Sequence, residues 1–89
     1  MKVVWDEPKR RTNIETHELD LADAELFDWD TALVVAGHPG RDGRARFRAI
    51  GRLSGELVVV VFSPLGTEAV SVISMRRASR KERKLHGQA

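Results

Sequence analysis

The spacing of apolar residues changes along the chain and separates a helical first part from a strand-rich second part. Polar and apolar residues alternate over residues 44–53, and the run from Leu57 to Phe62 is apolar at every position. Alternation is typical of a strand with one buried face, and a short continuous apolar run is typical of a strand covered on both faces. The pattern therefore predicts a central strand at residues 56–63 beside another strand at 44–53.

The remaining periodicity predicts the element order β-α-α-β-β-β-β-α. Strands are predicted at residues 1–5, 31–36, 44–53, 56–63 and 68–74, and helices at 7–17, 21–27 and 80–86. Asp6 and Asp20 precede two of these helices, where a carboxylate can accept hydrogen bonds from free backbone N–H groups. Short connections such as Ser54-Gly55 predict antiparallel pairing. The predicted fold class is α+β, with helices packed on an antiparallel sheet.

Length and composition limit the kind of protein. The 89 residues suit one domain, residues 1–89, that ends in a basic helix or tail at 77–89. The chain has no cysteine, which excludes disulfides and cysteine zinc sites and suits a cytoplasmic location. The apolar run at 57–62 is far shorter than the roughly 20 residues that cross a bilayer. We therefore expect a cytoplasmic protein without a membrane partner.

Charge is divided unequally between the two halves of the chain. Residues 1–43 carry 5 Lys or Arg against 10 Asp or Glu, a net charge of −5. Residues 44–89 carry 10 against 3, a net charge of +7, and most of these cations are arginines. A concentrated basic region is typical of proteins that bind nucleic acid, and the guanidinium group binds phosphate oxygens in pairs. The charge distribution therefore indicates contact with phosphates.

The strand predicted at 44–53 places its arginines on one face. Alternate positions of this strand are occupied by Arg44, Arg46, Arg48 and Arg52. Successive side chains of a strand point to opposite faces, so these four share a face. Contact with an anion would offset their mutual repulsion. The alternative interpretation is a solvated face balanced by acidic neighbours.

Two further groups carry candidate chemistry. Lys9, Asn13 and His17 recur at every fourth position of the first helix, where a cation, an amide and an imidazole can bind phosphate and transfer a proton. The alternative is an ordinary exposed polar face. Arg76 and Arg77 follow the end of the last predicted strand, beside serine hydroxyls, and can clamp a phosphate. The alternative is solvated arginines before a helix capped by Ser79. The chain shows neither metal-ligand spacing nor a cofactor motif, so no metal or cofactor is expected.

Three segments resemble the signatures of the BrnT toxin family. They are Trp5-Asp6-x-x-Lys9-x-x-x-Asn13-x-x-x-His17, Arg46-Phe47-x-Ala49-Ile50-Gly51 and Ile73-Ser74-Met75-Arg76-x-Ala78-x-x-x-Glu82-Arg83. They occur in the family's order and span most of the chain. One departure is Glu18, where the family usually has Gly, and a non-glycine residue makes the helix-ending turn less favourable.

The resemblance implies a RelE-like fold and the toxin of a type II toxin–antitoxin system, a ribonuclease that halts translation. It implies a partner similar to the ribbon-helix-helix antitoxin BrnA, in a toxin–antitoxin hetero-oligomer. Carried over by position, the candidate catalytic residues are Lys9, His17, Arg46, Ser74 and Arg76. The candidate substrate-binding residues are Asn13, Arg48, Arg52, Arg77 and Arg80.

The leading hypothesis is metal-independent cleavage of mRNA by attack of the RNA 2′-hydroxyl on phosphorus. Arg46 and Arg76 would stabilise phosphoryl charge, and His17 or Lys9 would transfer protons. Arg48 and Arg52 would position the RNA backbone. Two other hypotheses remain: a nucleic-acid-binding domain without catalysis, and an interaction protein whose basic face docks an acidic partner.

Overall fold

Five strands form one sheet in the computed structural model, which describes residues 1–87. The elements in chain order are β1 (Lys2–Trp5), α1 (Glu7–His17), a 3₁₀ helix (Leu21–Glu25), β2 (Leu33–Ala36), β3 (Phe47–Leu53), β4 (Glu56–Leu65), β5 (Ala69–Arg77) and α2 (Arg80–Gly87). This arrangement confirms the predicted α+β class. Of the basic tail predicted at 77–89, residues 88 and 89 lie outside the described residues.

The strand order across the sheet is β1-β5-β4-β3-β2. The pairs β2–β3, β3–β4 and β4–β5 are antiparallel, as their short connections predict. The pair β1–β5 is parallel, which differs from the wholly antiparallel sheet that we expected. The short-connection argument holds only for strands joined by turns, and β1 is separated from β2 by two helical segments. The first strand is therefore free to pair with the last.

Strands β1 and β2 are one or two residues shorter than predicted, and two other elements differ more. The second helix is a 3₁₀ helix rather than an α-helix over 21–27, because the N–H groups of Leu26 and Phe27 bond to carbonyls only three residues earlier. The strand predicted from residue 44 begins at Phe47. Arg44 and Arg46 lie in the irregular lead-in, where their carbonyls accept hydrogen bonds from Gly40 and Gly37. The predicted row of four arginines is therefore only half within the strand.

The sheet is covered on both faces, which explains the continuous apolar run of β4. The larger core contains Phe47, Ala49 and Leu53 of β3 together with Leu21 and Phe27 from the 3₁₀ segment. The smaller core, on the opposite face, contains Ile50, Val59 and Ala78. Ile50 lies between Arg48 and Arg52 on the predicted arginine face and is fully buried. That face is therefore partly covered rather than open along its length.

Polar contacts, not apolar ones, hold α1 in place. The one buried residue of α1 is Asn13, and its side chain donates to the Met75 carbonyl at 2.9 Å and accepts from the Met75 N–H at 3.0 Å. Strand β1 pairs with β5 only as far as Val72. The amide of Asn13 thus occupies the β5 edge beyond the end of β1, as a neighbouring strand would. An ion pair between Arg10 and Asp20 at 2.8 Å adds a second polar contact.

In residues 1–87, no helix combines the length and the apolar character needed to span a membrane.

Helix α1 ends in a left-handed residue. Glu18 has φ 59° and ψ 26°, and its N–H donates to the carbonyl of Ile14. The helix therefore closes with the predicted turn even though the residue is not glycine. An L-residue in this conformation costs about 1–2 kcal/mol of conformational free energy.

We expect Glu18→Gly to raise the free energy of unfolding by about 1 kcal/mol, because glycine removes this strain. Glu15→Gly makes the same change in the exposed interior of α1 and should lower it by about 1 kcal/mol. Urea denaturation measures both values. If both substitutions changed the free energy of unfolding in the same direction, residue 18 would not be strained.

Candidate active site

A cleft of about 480 Å³ lies where α1 meets β5 and the segment before β3. Four of the five predicted catalytic residues line it: Lys9, His17, Arg46 and Ser74. Two of them come from α1, one from β5 and one from the lead-in to β3. The fold therefore brings together residues that are up to 65 positions apart in the sequence.

A bulge in β5 shapes the floor of this cleft. Val61 pairs with Ser74 and the next residue, Phe62, pairs with Val72, so Ile73 is one extra residue in β5. Bulges bend a strand locally and redirect side chains. Both Ile73 and Ser74 line the cleft as a result. Ser74 is half-buried there, beside the end of α1.

Asn13 also borders the cleft, but its position does not support the predicted contact with substrate. It is 4% exposed, and Nδ2 donates to both Leu19 and Met75 while Oδ1 accepts from the Met75 N–H. Both N–H groups of the amide, and its oxygen, are thus engaged by the backbone. Its contribution is to hold α1 so that Lys9 and His17, four positions to either side, face the cleft.

The loop before β3 packs against the Arg46 guanidinium. A Cβ atom placed on Gly40 would lie 2.8 Å from Nε and Nη2 of Arg46. The loop is tied to the same residue through a hydrogen bond from the Gly37 N–H to the Arg46 carbonyl, at 2.9 Å. Close backbone approach at Gly40 therefore limits the positions that the guanidinium can occupy.

A buried carboxylate holds two more of the predicted residues. Glu82 on α2 is 4% exposed and accepts hydrogen bonds from Arg76 at 2.7 and 2.9 Å and from Arg48 at 2.9 Å. It also accepts from the Ser79 N–H at 2.9 Å, while its own N–H donates to the Ser79 hydroxyl. The predicted capping box is therefore present, and its glutamate also joins α2 to β3 and β5.

The charges in this cluster shift one another's titration. Hydrogen bonds from Arg76, and secondarily from Ser79, lower the pKa of Glu82 from 4.5 to about 2 against the opposing effect of burial. The same contact raises the pKa of Arg76 above its ordinary value. One carboxylate balances two guanidinium groups, so the cluster keeps a net positive charge at neutral pH. Arg76 stands two residues from Ser74 in β5, and its guanidinium is bound to Glu82.

The other three predicted substrate-binding residues lie away from the cleft. Arg52 is exposed at the β3–β4 hairpin and donates to the Gly55 carbonyl at 3.5 Å. Arg77 is paired with Glu56 at 3.0 Å and donates to the His17 carbonyl at 3.1 Å, which caps the end of α1. Arg80 is exposed at the start of α2. Arg52 and Arg80 therefore share no site with Lys9 and His17, and Arg77 contacts His17 through the backbone carbonyl alone.

The role of Glu82 as an anchor for two arginines was missed from the sequence. The available signal was a lone acidic residue in the basic stretch from Arg76 to Lys84. A capping box accounts for that glutamate locally, and nothing in the local pattern shows that Arg48 reaches it from another strand. His38, which is not among the candidate residues predicted from the sequence, lines a second cleft beside Arg46.

Comparison with known proteins gives consistent results. The family model described as "Ribonuclease toxin, BrnT, of type II toxin-antitoxin system" matches residues 5–82. The crystal structure of the Brucella abortus ribonuclease toxin BrnT is 46% identical in sequence, with a TM-score of 0.67, covering 90% of this chain and 99% of that one. No curated protein matches the chain.

The lowered pKa of Glu82 predicts how stability changes with pH. In the unfolded chain the carboxyl has its ordinary pKa of 4.5, and in the folded protein it is about 2. Folding is therefore stabilised above pH 4.5, and this contribution, about 3 kcal/mol, is lost as pH falls from 4.5 towards 2. We expect Glu82→Gln to lower the free energy of unfolding at pH 7 by about 3 kcal/mol and to flatten its dependence on acid pH.

Urea denaturation at several pH values measures this difference. Glu25→Gln, which removes an exposed carboxylate on the 3₁₀ segment, serves as the control and should follow the curve of the unmodified protein. Glutamine at position 82 keeps an acceptor for the Ser79 N–H, so helix capping is preserved. Parallel curves for the Glu82 variant and the unmodified protein would contradict the buried ion-pair cluster.

Proposed function

The chain belongs to the family of BrnT ribonuclease toxins of type II toxin–antitoxin systems, and from this premise we propose that it cleaves mRNA without a metal ion and thereby inhibits translation. The observation that carries the proposal is the single cleft lined by Lys9, His17, Arg46 and Ser74. It combines groups that transfer protons with groups that bind phosphate oxygens. Such a set serves phosphoryl transfer.

The proposed reaction is an internal transesterification. The RNA 2′-oxygen loses its proton to a base and forms a bond to phosphorus, while the bond from phosphorus to the 5′-oxygen breaks. The leaving oxygen takes up a proton and becomes a 5′-hydroxyl, and the other product ends in a 2′,3′-cyclic phosphate. His17 and Lys9 are the candidate proton-transfer groups, because both face the cleft from one side of α1.

Arg46 is the proposed electrostatic group of the reaction. Arg46 lines the same cleft, and charge that develops on the phosphoryl oxygens is stabilised by preorganised donors. Ser74 donates a hydrogen bond to the same phosphate in this proposal. Arg76 contributes positive potential from its position two residues along β5, where Glu82 holds it.

Family membership implies an antitoxin partner. We infer that this partner is a BrnA-like ribbon-helix-helix protein, that it forms a hetero-oligomer with the toxin and that it covers the basic cleft. An acidic segment of the partner would compete with RNA for Arg46 and Lys9. With mRNA as the substrate, the activity belongs in the cytoplasm.

Cleavage of RNA by the purified chain in the presence of EDTA tests the proposal. We expect Arg46→Ala to reduce the cleavage rate by about 10²–10³-fold, the usual loss when one donor to a developing oxyanion is removed. Arg44→Ala is the matched control, because it removes the same charge from an exposed position two residues earlier. Bound but intact RNA would contradict catalysis and favour a domain that only binds nucleic acid. Arg76→Ala is less suitable, since it leaves buried Glu82 without two of its three hydrogen bonds from arginine.

The packing of Gly40 gives an independent test of the position of Arg46. Gly40→Ala places a methyl group against the end of the Arg46 side chain, which is flexible and can move aside. We expect the cleavage rate to fall by about tenfold to hundredfold through misplacement of the guanidinium, and the free energy of unfolding to change by less than about 1 kcal/mol.

Gly87→Ala, which adds a methyl group in open space at the end of α2, is the control for this test. Both rates are measured on the same RNA, and urea denaturation reports the stability of each variant. A Gly40→Ala protein that cleaves at the unmodified rate would show that the loop does not position Arg46 for catalysis.

A further inference from the structure

A second cleft, of about 500 Å³, adjoins the first on the other side of Arg46. Arg46 lines both clefts and is the link between them. The second is lined by Ala36, Gly37, His38, Arg46, Arg48 and Val61. The first cleft lies between α1 and residues 73–74 of β5, and the second lies beside the β2–β3 connection.

The second cleft offers hydrogen-bond donors around an apolar floor. Val61 is half-buried at its base, and its neighbours across the sheet are Arg48 on β3 and Ser74 on β5. Ser74 belongs to the first cleft, so the floor passes from one cleft to the other through Val61. His38 is exposed two residues beyond the end of β2 and lines the same cleft as Arg48.

The Arg48 guanidinium is anchored by one hydrogen bond, which leaves its other N–H donors available. Its Nη1 atom donates to Glu82 at 2.9 Å, which anchors the guanidinium from the α2 side. A guanidinium has five N–H donors, and within residues 1–87 this is the one hydrogen bond that the Arg48 side chain makes. The anchored group therefore presents its remaining N–H groups without the cost of ordering a free side chain.

We propose that the second cleft is a subsite for the phosphate next to the one that is cleaved, with Arg48 and His38 as its ligands and Arg46 between the two phosphates. The ligand is thus a second phosphodiester of the same RNA strand. The inference rests on the proposed function in that it takes the first cleft as the site of the scissile phosphate. Arg48 lines this cleft, whereas Arg52 lies beyond buried Ile50 at the β3–β4 hairpin.

Binding of 2′-O-methyl RNA tests the subsite apart from catalysis, because this RNA lacks the attacking hydroxyl. The probes are a dinucleotide, with one phosphate, and a trinucleotide, with two. We expect Arg48→Gln and His38→Ala to weaken binding of the trinucleotide by about two- to tenfold, the value of a lost hydrogen bond, and to leave the dinucleotide unaffected. Arg52→Gln is the matched control on the same face of β3 and should alter neither.

Salt dependence supplies a second readout. For a longer 2′-O-methyl RNA, loss of one phosphate contact reduces the slope of log K against log salt by about 0.7. Arg48→Gln should show this reduction, and Arg52→Gln should not. His38→Ala lies in an exposed segment outside the Glu82 cluster, so it remains informative if the Arg48 variant loses stability.

The outcomes separate this proposal from the proposed function. Equal effects of Arg48→Gln and Arg52→Gln, with no effect of His38→Ala, would overturn the subsite, as would a failure of the unmodified protein to bind the trinucleotide more tightly than the dinucleotide. RNA cleavage by the unmodified protein would then still support the ribonuclease. Conversely, a subsite effect in a protein that cleaves no RNA would support the subsite and overturn the catalytic assignment.

Discussion

The candidate site depends on a hydrogen-bonding constraint at the edge of β5. The strand continues beyond Val72, where β1 ends, and the N–H and C=O groups of Met75 then need a partner other than a strand. Buried backbone groups without partners cost about 1–3 kcal/mol each. Asn13 meets both requirements with one amide, and this fixes α1 against the sheet. The positions of Lys9 and His17 follow from that contact, because α1 buries no apolar side chain of its own.

The acidic and basic halves of the chain form different parts of the folded protein. The acidic first half supplies α1 and the 3₁₀ segment, where Asp20 pairs with Arg10 and thereby lowers its own pKa. The basic second half supplies the sheet, but its charge is not one continuous field. Glu82 of α2 is buried against the sheet. It offsets part of the charge of Arg48 on β3 and of Arg76 on β5. The strongly basic surface is thus divided into an anchored cluster under α2 and an open group around Arg46.

Local sequence patterns were sufficient to predict the helices and strands, whereas the positions of the site residues depend on contacts between distant parts of the chain. Periodicity and capping residues were sufficient for α1, whose predicted bounds match the structure, and for the Ser54-Gly55 hairpin. The extra residue at Ile73 was not predictable, because a bulge depends on how β4 and β5 pair rather than on a residue type. Asn13 was predicted as a substrate ligand because a polar residue at helical spacing looks the same whether it faces solvent or a strand edge. Parity placed Arg48 and Arg52 on one face correctly, but it gave no indication that Ile50 between them packs with Val59 and Ala78 in a second core.

The arginines of the site are positioned in two ways, by a carboxylate or by backbone packing, and the two ways suit different roles. Arg48 and Arg76 are fixed by a carboxylate, which orders them and also offsets part of their charge. Arg46 is positioned by the backbone of the loop at Gly40, and within residues 1–87 no carboxylate is paired with it. A guanidinium that is oriented by packing keeps its full charge for a developing phosphoryl anion, and preorganised charge of this kind contributes most to catalysis. Ordered but partly neutralised groups suit steady binding of a phosphate that does not react. In the proposed reaction, Arg46 is therefore the electrostatic catalyst, and its anchored neighbours are binding and positioning residues.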